Sequence, residues 1–301
     1  MSDPSVAVIV PTLGDRPTLL AETLASVAAQ DYGGEITTVV VHDRAAPDPA
    51  LAAERVILVP NDRAPNAAGA RNAGVLAAPE TDLVAFCDDD DVWLPGKLRA
   101  QVAALAGRPG AFFAACGEAQ LFPGHTVDRV LPARQITFAD LLRDRLPEAG
   151  CPSFLVRRAA FLDLGMFDEE IPGAYGEDYE LLLRAARRAP VVYVPEVHVY
   201  VRMRGQSHFA QDWPTIAAAL TWLLARYPEF ETAPRGHARL AGQIAFAHAA
   251  QGRHRQALRW ALRSLRARPL EPRPYAVLAM AARLVTAPWL IRRLESRGLG
   301  F

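Results

Sequence analysis

Four short runs of apolar, mostly β-branched residues divide the first 90 positions of this chain: Val6–Pro11, Ile36–Val41, Val56–Val59 and Leu83–Cys87. A half-exposed strand alternates polar and apolar side chains, so unbroken runs this short read as strands buried on both faces. Between them lie stretches with helical spacing, "PTLLAETLASVAAQ" from Pro17 and "NAAGARNAGVLAA" from Asn66. Proline at a first helical position costs no hydrogen bond, which suits Pro17 as a helix start. Strands alternating with helices over short connections predict a doubly wound, mostly parallel sheet with helices on both faces. Ligands of such sheets sit at the carboxyl ends of the strands. Pro11 and Thr12, Asp43, and Asp88–Asp91 all fall at such ends.

The fourth strand runs directly into charge, as "LVAFCDDDDVWLPGKL". Adjacent aspartates repel one another and are costly to hold in a folded protein unless something cationic binds them. In an extended chain Asp88 and Asp90 point one way and Asp89 and Asp91 the other. A D-x-D pair on one face suits a hard divalent cation, Mg²⁺ or Mn²⁺, that also bridges ligand phosphates. The plainer reading is that these aspartates cap or precede a helix starting at Pro95. An EF-hand is excluded, because Trp93 stands where its loop needs glycine. Neither G-x-x-x-x-G-K-[ST] nor G-x-G-x-x-G occurs, so no P-loop or dinucleotide fingerprint cradles phosphate.

Beyond the helix after Pro95, "CPSFLVRRAAFLDLGMFDEEIPGAYGEDYELLLRAARRAP" reads as strand, helix, irregular loop and a helix from near Glu177. Strands in "VVYVPEVHVYVRMRG" close this region. From about Asp212 the pattern is wholly helical, in "TIAAALTWLLARY", "LAGQIAFAHAAQG", "HRQALRWALRSLRARP" and "PYAVLAMAARLV". "AHAAQGRHRQALRWALRSLRARP" has the texture of one helical hairpin, without a repeat array around it. Two domains are expected, residues 1–209 and an all-helical extension at 210–301. Charge separates them too. The chain is neutral in sum, which disfavours a nucleic-acid partner, but residues 226–301 hold 14 Arg against 4 acidic residues and carry +10. Three cysteines without C-x-x-C spacing argue against a zinc site and suit a reducing, cytoplasmic setting. No signal-peptide pattern and no apolar run of about 18 residues is present, so a soluble chain is expected.

Three ordered motifs, "VAVIVPTLGDRPTLLAETLASVAAQDY", "GARNAGVLAAPETDLVAFCDDDDVWLPGKL" and "GMFDE…GEDYELLLRAA", resemble the family 2 glycosyltransferases of GT-A fold over roughly residues 5–205. The resemblance implies an inverting enzyme of cell-surface glycan or glycoconjugate synthesis. Such an enzyme is metal dependent and transfers a sugar from a UDP-, GDP- or dTDP-linked donor to a glycan, lipid-linked or small-molecule acceptor. It implies that Pro11 and Thr12 line the nucleoside pocket, Asp43 bonds the base, and Arg71 lies near base, ribose or phosphates. Asp88 and Asp90 become the metal pair with Asp90 the more direct ligand, and Asp89 lies against the nucleotide sugar. Asp178 becomes the general base and Glu177 its support. His208, and more distantly His198, fall where family members close the site over the diphosphate; His208 is a candidate third metal ligand. Two departures bear on nucleoside preference: His42 replaces an aspartate often found before Asp43, and Leu13-Gly14 replaces a frequent aromatic-Asn pair.

The residue types suit this chemistry in their own right. A sugar hydroxyl is a poor nucleophile at neutral pH, and a positioned carboxylate that takes its proton contributes about 10²–10⁴ in rate. A metal held by carboxylates stabilises the charge gathering on a leaving diphosphate. For Glu177 and Asp178 the bland alternative is ordinary acidity at a helix N-terminus. Trp93 is read either as a wall of the sugar or acceptor pocket or as core. Arg202 and Arg204 can grip phosphate through their planar forks, or simply alternate outward along a strand. The Arg-rich tail either packs on the catalytic domain or lies peripherally on the inner face of a membrane. Competing classes are a catalytically silent nucleotide-sugar sensor or scaffold, and a sugar-nucleotide nucleotidyltransferase. The latter would show a Gly-rich turn with Arg and Lys that "PTLGDRPTL" lacks.

Overall fold

The computed structural model describes residues 3–203 and 212–295. They fall into two compact units. The first, drawn from Met1–Phe138, Leu146–Glu169 and Glu177–Gly205, holds the sheet. Its strands are β1 (Val6–Thr12), β2 (Ile36–His42), β3 (Val56–Pro60), β4 (Leu83–Phe86), β5 (Val92–Trp93), β6 (Phe113–Phe122), β7 (His125–Arg129), β8 (Gln135–Ile136), β9 (Leu155–Arg157) and β10 (Val191–Arg202). The main order is β3-β2-β1-β4-β9-β6-β10-β5, with β7 on β6 and β8 on β10. β1 to β4 are mutually parallel, as is β10 with β6, whereas β9 runs against both of its neighbours. The expected doubly wound, mostly parallel sheet is therefore present.

Helices cover both faces. Val6, Val8 and Val10 point to one side, where α1 (Pro17–Ala28) and α3 (Lys97–Ala106) supply Leu20, Val27, Leu98 and Leu105. On the other side lies α2 (Ala67–Ala77), at a separation set by Gly74: a Cβ there would come within 2.4 Å of Ile9. The same face carries the edge-on aromatic trio Phe86, Phe161 and Phe167. Asn66 caps α2, its side-chain oxygen accepting from the Gly69 amide at 2.9 Å. α3 begins at Lys97, two residues later than Pro95, and no aspartate caps it. Lys97, the only lysine of the chain, is fully buried with its ammonium 3.8 Å over the Trp93 ring and bonded to Gln101. Burial pulls its pKa down to about 8.

The second unit comprises Ala139–Arg145, Glu170–Gly176 and Gln206–Phe301. Its described helices include α7 (Trp213–Arg226), α8 (Pro234–Ala250), α9 (His254–Ala267), α10 (Pro272–Ala281) and α11 (Ala287–Glu295). α8 and α9 form the expected hairpin, turning at Gly252 with φ +72°. Ala257, Ala261 and Ser264 face inward toward Phe246 and Val277, and the Ser264 hydroxyl donates to the Ala238 carbonyl at 2.7 Å. Gly236 has no alternative: a Cβ there would lie 1.7 Å from the Leu142 carbonyl oxygen.

One buried polar side chain fixes the loop after α5 (Arg158–Asp163) to α2. The Asn72 amide donates to the Phe167 carbonyl (2.9 Å) and to Glu169 (2.7 Å), and its oxygen accepts from the Phe167 amide (3.0 Å). Replacing Asn72 by Leu strands both buried backbone groups of Phe167. Each costs about 1–3 kcal/mol, so chemical denaturation of Asn72→Leu is expected to show a loss of roughly 2–4 kcal/mol.

Candidate active site

The carboxylates gather at the carboxyl ends of β1, β2 and β4. They do not continue β4 as an extended segment. The Asp91 amide donates to the Asp88 carbonyl at 3.2 Å, so Asp88–Asp91 form a turn. This corrects the expectation of strict strand alternation: the four side chains fan out, and each meets a different partner. Asp88 accepts from Arg71 at 2.7 Å. Asp89 accepts from the Thr12 hydroxyl at 2.6 Å. Asp90 accepts from Arg16 at 2.6 Å, and Asp91 folds inward to accept from the Arg202 amide at 3.2 Å. Burial and the neighbouring carboxylates push Asp89 up to about 6 and raise Asp91 well above the usual carboxylate range.

Arg71 is 4% exposed, and its two terminal nitrogens are divided between Asp88 and Glu177, 2.7 and 2.6 Å away. Arg71 thus forms an internal bridge. It joins the 88–91 turn to the first turn of α6 (Glu177–Arg188), where Asp178 stands half-buried beside Glu177. Burial raises the pKa of Glu177 against the opposing pull of Arg71. At the far end Asp43 is buried, accepting from Asn61 at 2.8 Å and lying 3.3 Å from Arg44, and its amide donates to the Thr12 carbonyl. His42 is buried beside it, and burial lowers its pKa.

The structure thus brings together Thr12, Asp43, Arg71, Asp88, Asp89, Asp90, Glu177 and Asp178, with Pro11 preceding Thr12 on β1. Trp93 is removed from the pocket wall. It is 2% exposed, its indole N–H donates to the Pro152 carbonyl at 3.1 Å, and Lys97 covers its ring. His198 packs 3.6 Å from Glu196, beside Gly96. His208 and Arg204 lie outside the described residues. Arg202 is committed to the Asp90 carbonyl at 2.9 Å and to Glu22.

Hard carboxylate oxygens fit a divalent cation in kind. Among the described residues no group of three or more His, Cys, Asp or Glu side chains converges as a cage. A cation on Asp88 and Asp90 would complete its shell with diphosphate oxygens and water, as Mg²⁺ commonly does.

With this geometry in view, the comparisons with known proteins are decisive on family. A model of glycosyl transferase family 2 matches residues 7–165, more than half of the chain, and one of glycosyltransferase-like family 2 matches residues 125–218. The chain belongs to glycosyl transferase family 2. Among its relatives, an N-acetylglucosaminyltransferase of Rhizobium leguminosarum bv. viciae is 35% identical over 98 residues, 31% of this chain and 23% of that protein. This chain thus matches under a quarter of that relative's length. The Escherichia coli protein WfgD, a UDP-Glc:alpha-D-GlcNAc-diphosphoundecaprenol beta-1,3-glucosyltransferase, is 28% identical over 188 residues, 61% of this chain and 70% of that one. The crystal structure of S. aureus TarS 1-349 in complex with UDP-GlcNAc superposes with a TM-score of 0.62 at 18% identity, over 92% of this chain and 87% of that one. At that identity the likeness speaks for the fold, which is GT-A.

The linear motifs give no role to four side chains at this family 2 site: Arg16, Asn61, Asn72 and Glu118. Glu118, an acid inside the apolar run "AFFAACGEAQLF", is 4% exposed. Among the described residues one of its oxygens has no partner, although the Gly150 amide bonds the carboxyl group. Burial, with Asp178, Glu148 and Asp88 nearby, pushes it up to about 7. The folded protein therefore holds this proton up to about pH 7, whereas the unfolded chain releases it near the model-compound value of 4.5. Where the native state binds the extra proton, stability falls as pH rises. The wild-type melting temperature is expected to decline between pH 5 and pH 8, and Glu118→Gln to flatten that decline. A difference between variant and wild type that does not grow with pH tells against it.

Proposed function

We propose that this chain is an inverting glycosyltransferase that moves a sugar from a nucleoside-diphosphate sugar to an acceptor hydroxyl in cell-surface glycan synthesis. The observation that carries the reading is the continuous ion-paired chain Asp88–Arg71–Glu177, with Asp178 adjoining it. It holds the carboxylates assigned to the donor's diphosphate and the carboxylate assigned to the acceptor in one frame. Thr12 and Asp43, at the ends of β1 and β2, bind the nucleoside. Asp178 takes the acceptor hydroxyl's proton as that oxygen attacks the anomeric carbon from the face opposite the leaving diphosphate, which inverts the configuration. Glu177 stays on Arg71 and orients the first turn of α6. Asp88 and Asp90 hold Mg²⁺ or Mn²⁺, which when bound stabilises the charge of the leaving diphosphate. A UDP-linked donor is the first to test, since the TarS structure was solved with UDP-GlcNAc.

Calorimetry with UDP, GDP and dTDP and their common sugars, with and without Mn²⁺, tests the donor half. One diphosphate class is expected to bind in a Mn²⁺-dependent way, and Asp88→Ala/Asp90→Ala to abolish that binding. Asp178→Asn is expected to bind the same donor as the wild type. Its acceptor-dependent nucleotide release should fall by about 10²–10⁴, the usual contribution of a general base. Equal loss of binding and turnover in Asp178→Asn removes it from the role of base.

The helical unit supports a membrane-proximal setting for this reaction. No helix among the described residues is long and apolar enough to cross a membrane. α9 instead shows Leu258 and Leu262 in the open among Arg255, Arg259, Arg263 and Arg266, and Leu270, Tyr275, Leu278, Leu284 and Trp289 are exposed further on. Apolar side chains interleaved with arginines suit the headgroup region of an anionic bilayer. Co-sedimentation with phosphatidylglycerol vesicles, and not with phosphatidylcholine vesicles, is the expected result; Leu258→Ser/Leu262→Ser should reduce it several-fold.

A further inference from the structure

Among the described residues three arginines meet the 88–91 turn, and they are held in very different ways. Arg71 is buried, shared with Glu177 and lies 5.4 Å over the Phe167 ring, so it is a permanent counter-ion of Asp88. Arg202 reaches a backbone carbonyl and Glu22. Arg16 differs from both. Its side chain is 41% exposed, and its Nη1 lies 2.6 Å from the Asp90 Oδ2 and 3.5 Å from the Asp89 Oδ1. Asp15 is its other ionic neighbour, at 3.8 Å. It stands at the cap of α1, just after the Gly14 turn with φ +76°.

Its guanidinium therefore occupies an oxygen that the donor reading assigns to the divalent cation. The two positive groups cannot both take that oxygen at bonding distance. A long, half-exposed arginine displaced from a carboxylate keeps a second acceptor within its chemistry, because its planar fork matches phosphate as well as carboxylate. We propose that Arg16 holds the cation's place on Asp90 in the donor-free protein and passes to the donor's diphosphate when the cation takes the carboxylate. This rests on the donor reading above and deepens it: Arg16 becomes a diphosphate-binding residue whose availability depends on the metal. A competitor bound to the ligand lowers apparent metal affinity by the fraction of time it stays there. Removing it therefore tightens metal binding while it weakens nucleotide binding. A residue of merely structural value would move both in the same direction.

The test uses the full chain and two probes, Mn²⁺ alone followed by electron paramagnetic resonance, and UDP at saturating Mn²⁺ followed by calorimetry. Arg55→Gln removes an equal charge from an exposed pair with Glu35 and serves as the control. Arg16→Gln is expected to bind Mn²⁺ about tenfold more tightly than the wild type, and UDP about tenfold more weakly, with Arg55→Gln within twofold on both. In an Asp90→Ala background Arg16→Gln should no longer tighten Mn²⁺ binding, since the shared carboxylate is gone. Mn²⁺ affinities that match the control, or a UDP affinity unchanged by Arg16→Gln, overturn the proposal. Wild-type protein that binds Mn²⁺ but no nucleoside diphosphate overturns the donor reading and the handover with it. The Mn²⁺ comparison then still reads the hold of Arg16 on Asp90.

Discussion

Arg71 is the side chain on which the geometry of this site depends. A fully buried guanidinium is tolerable only when carboxylates and hydrogen bonds replace its water. Here Asp88 and Glu177 do so from opposite sides, with an aromatic ring beneath. Those two acids belong to a turn after β4 and to the start of α6, almost 90 residues apart in sequence. The bridge therefore sets the separation between the aspartate turn and Asp178. Lysine, a point charge without a fork, could not hold both ends in fixed orientation. The adjacent Asn72 extends the same principle, pinning the loop at Phe167 through backbone bonds. Two consecutive residues on one turn of α2 thus position three further segments.

Around this bridge the unit is short of positive charge. Burial lets Asp89 and Glu118 keep protons to about pH 6 and 7 and raises Asp91 as well. Burial and mutual repulsion keep these carboxyl groups from ionising fully. The turn at Asp88–Asp91 makes this workable. By fanning the side chains apart it lets Asp91 serve the fold, through Arg202, while Asp88 and Asp90 keep part of their surface outward.

The strands, their parallel arrangement and the position of the site at their carboxyl ends were legible because buried runs and helical periods are local signals. The helical hairpin after Pro234 was legible for the same reason. The 88–91 turn was not, since nothing in four identical residues says that the chain folds back; the closing bond from the Asp91 amide is a backbone event. Trp93 could be read two ways because burial of an aromatic next to charged residues depends on Lys97 and Pro152, which reach it only in three dimensions. Arg16, Asn61 and Glu118 escaped for a related reason. Their meaning lies in partners 18 to 74 residues away, or in a partner that is missing. Only Glu118 left a trace, as an acid interrupting an apolar strand.

The first turn of α6 shows how one local preference is divided among different tasks. Glu177, Asp178 and Glu180 all gain from the partial positive charge of a helix N-terminus. Helical spacing then turns each in its own direction. Glu180 is buried and pairs with Arg184 one turn on, which stiffens the helix. Glu177 is consumed by Arg71 and ties the helix to the aspartate turn. Asp178, half-buried between them in sequence, is held by neither of these arginine pairs. Its neighbours fix the backbone on both sides of Asp178, and its Oδ1 accepts from the Tyr179 amide at 2.7 Å.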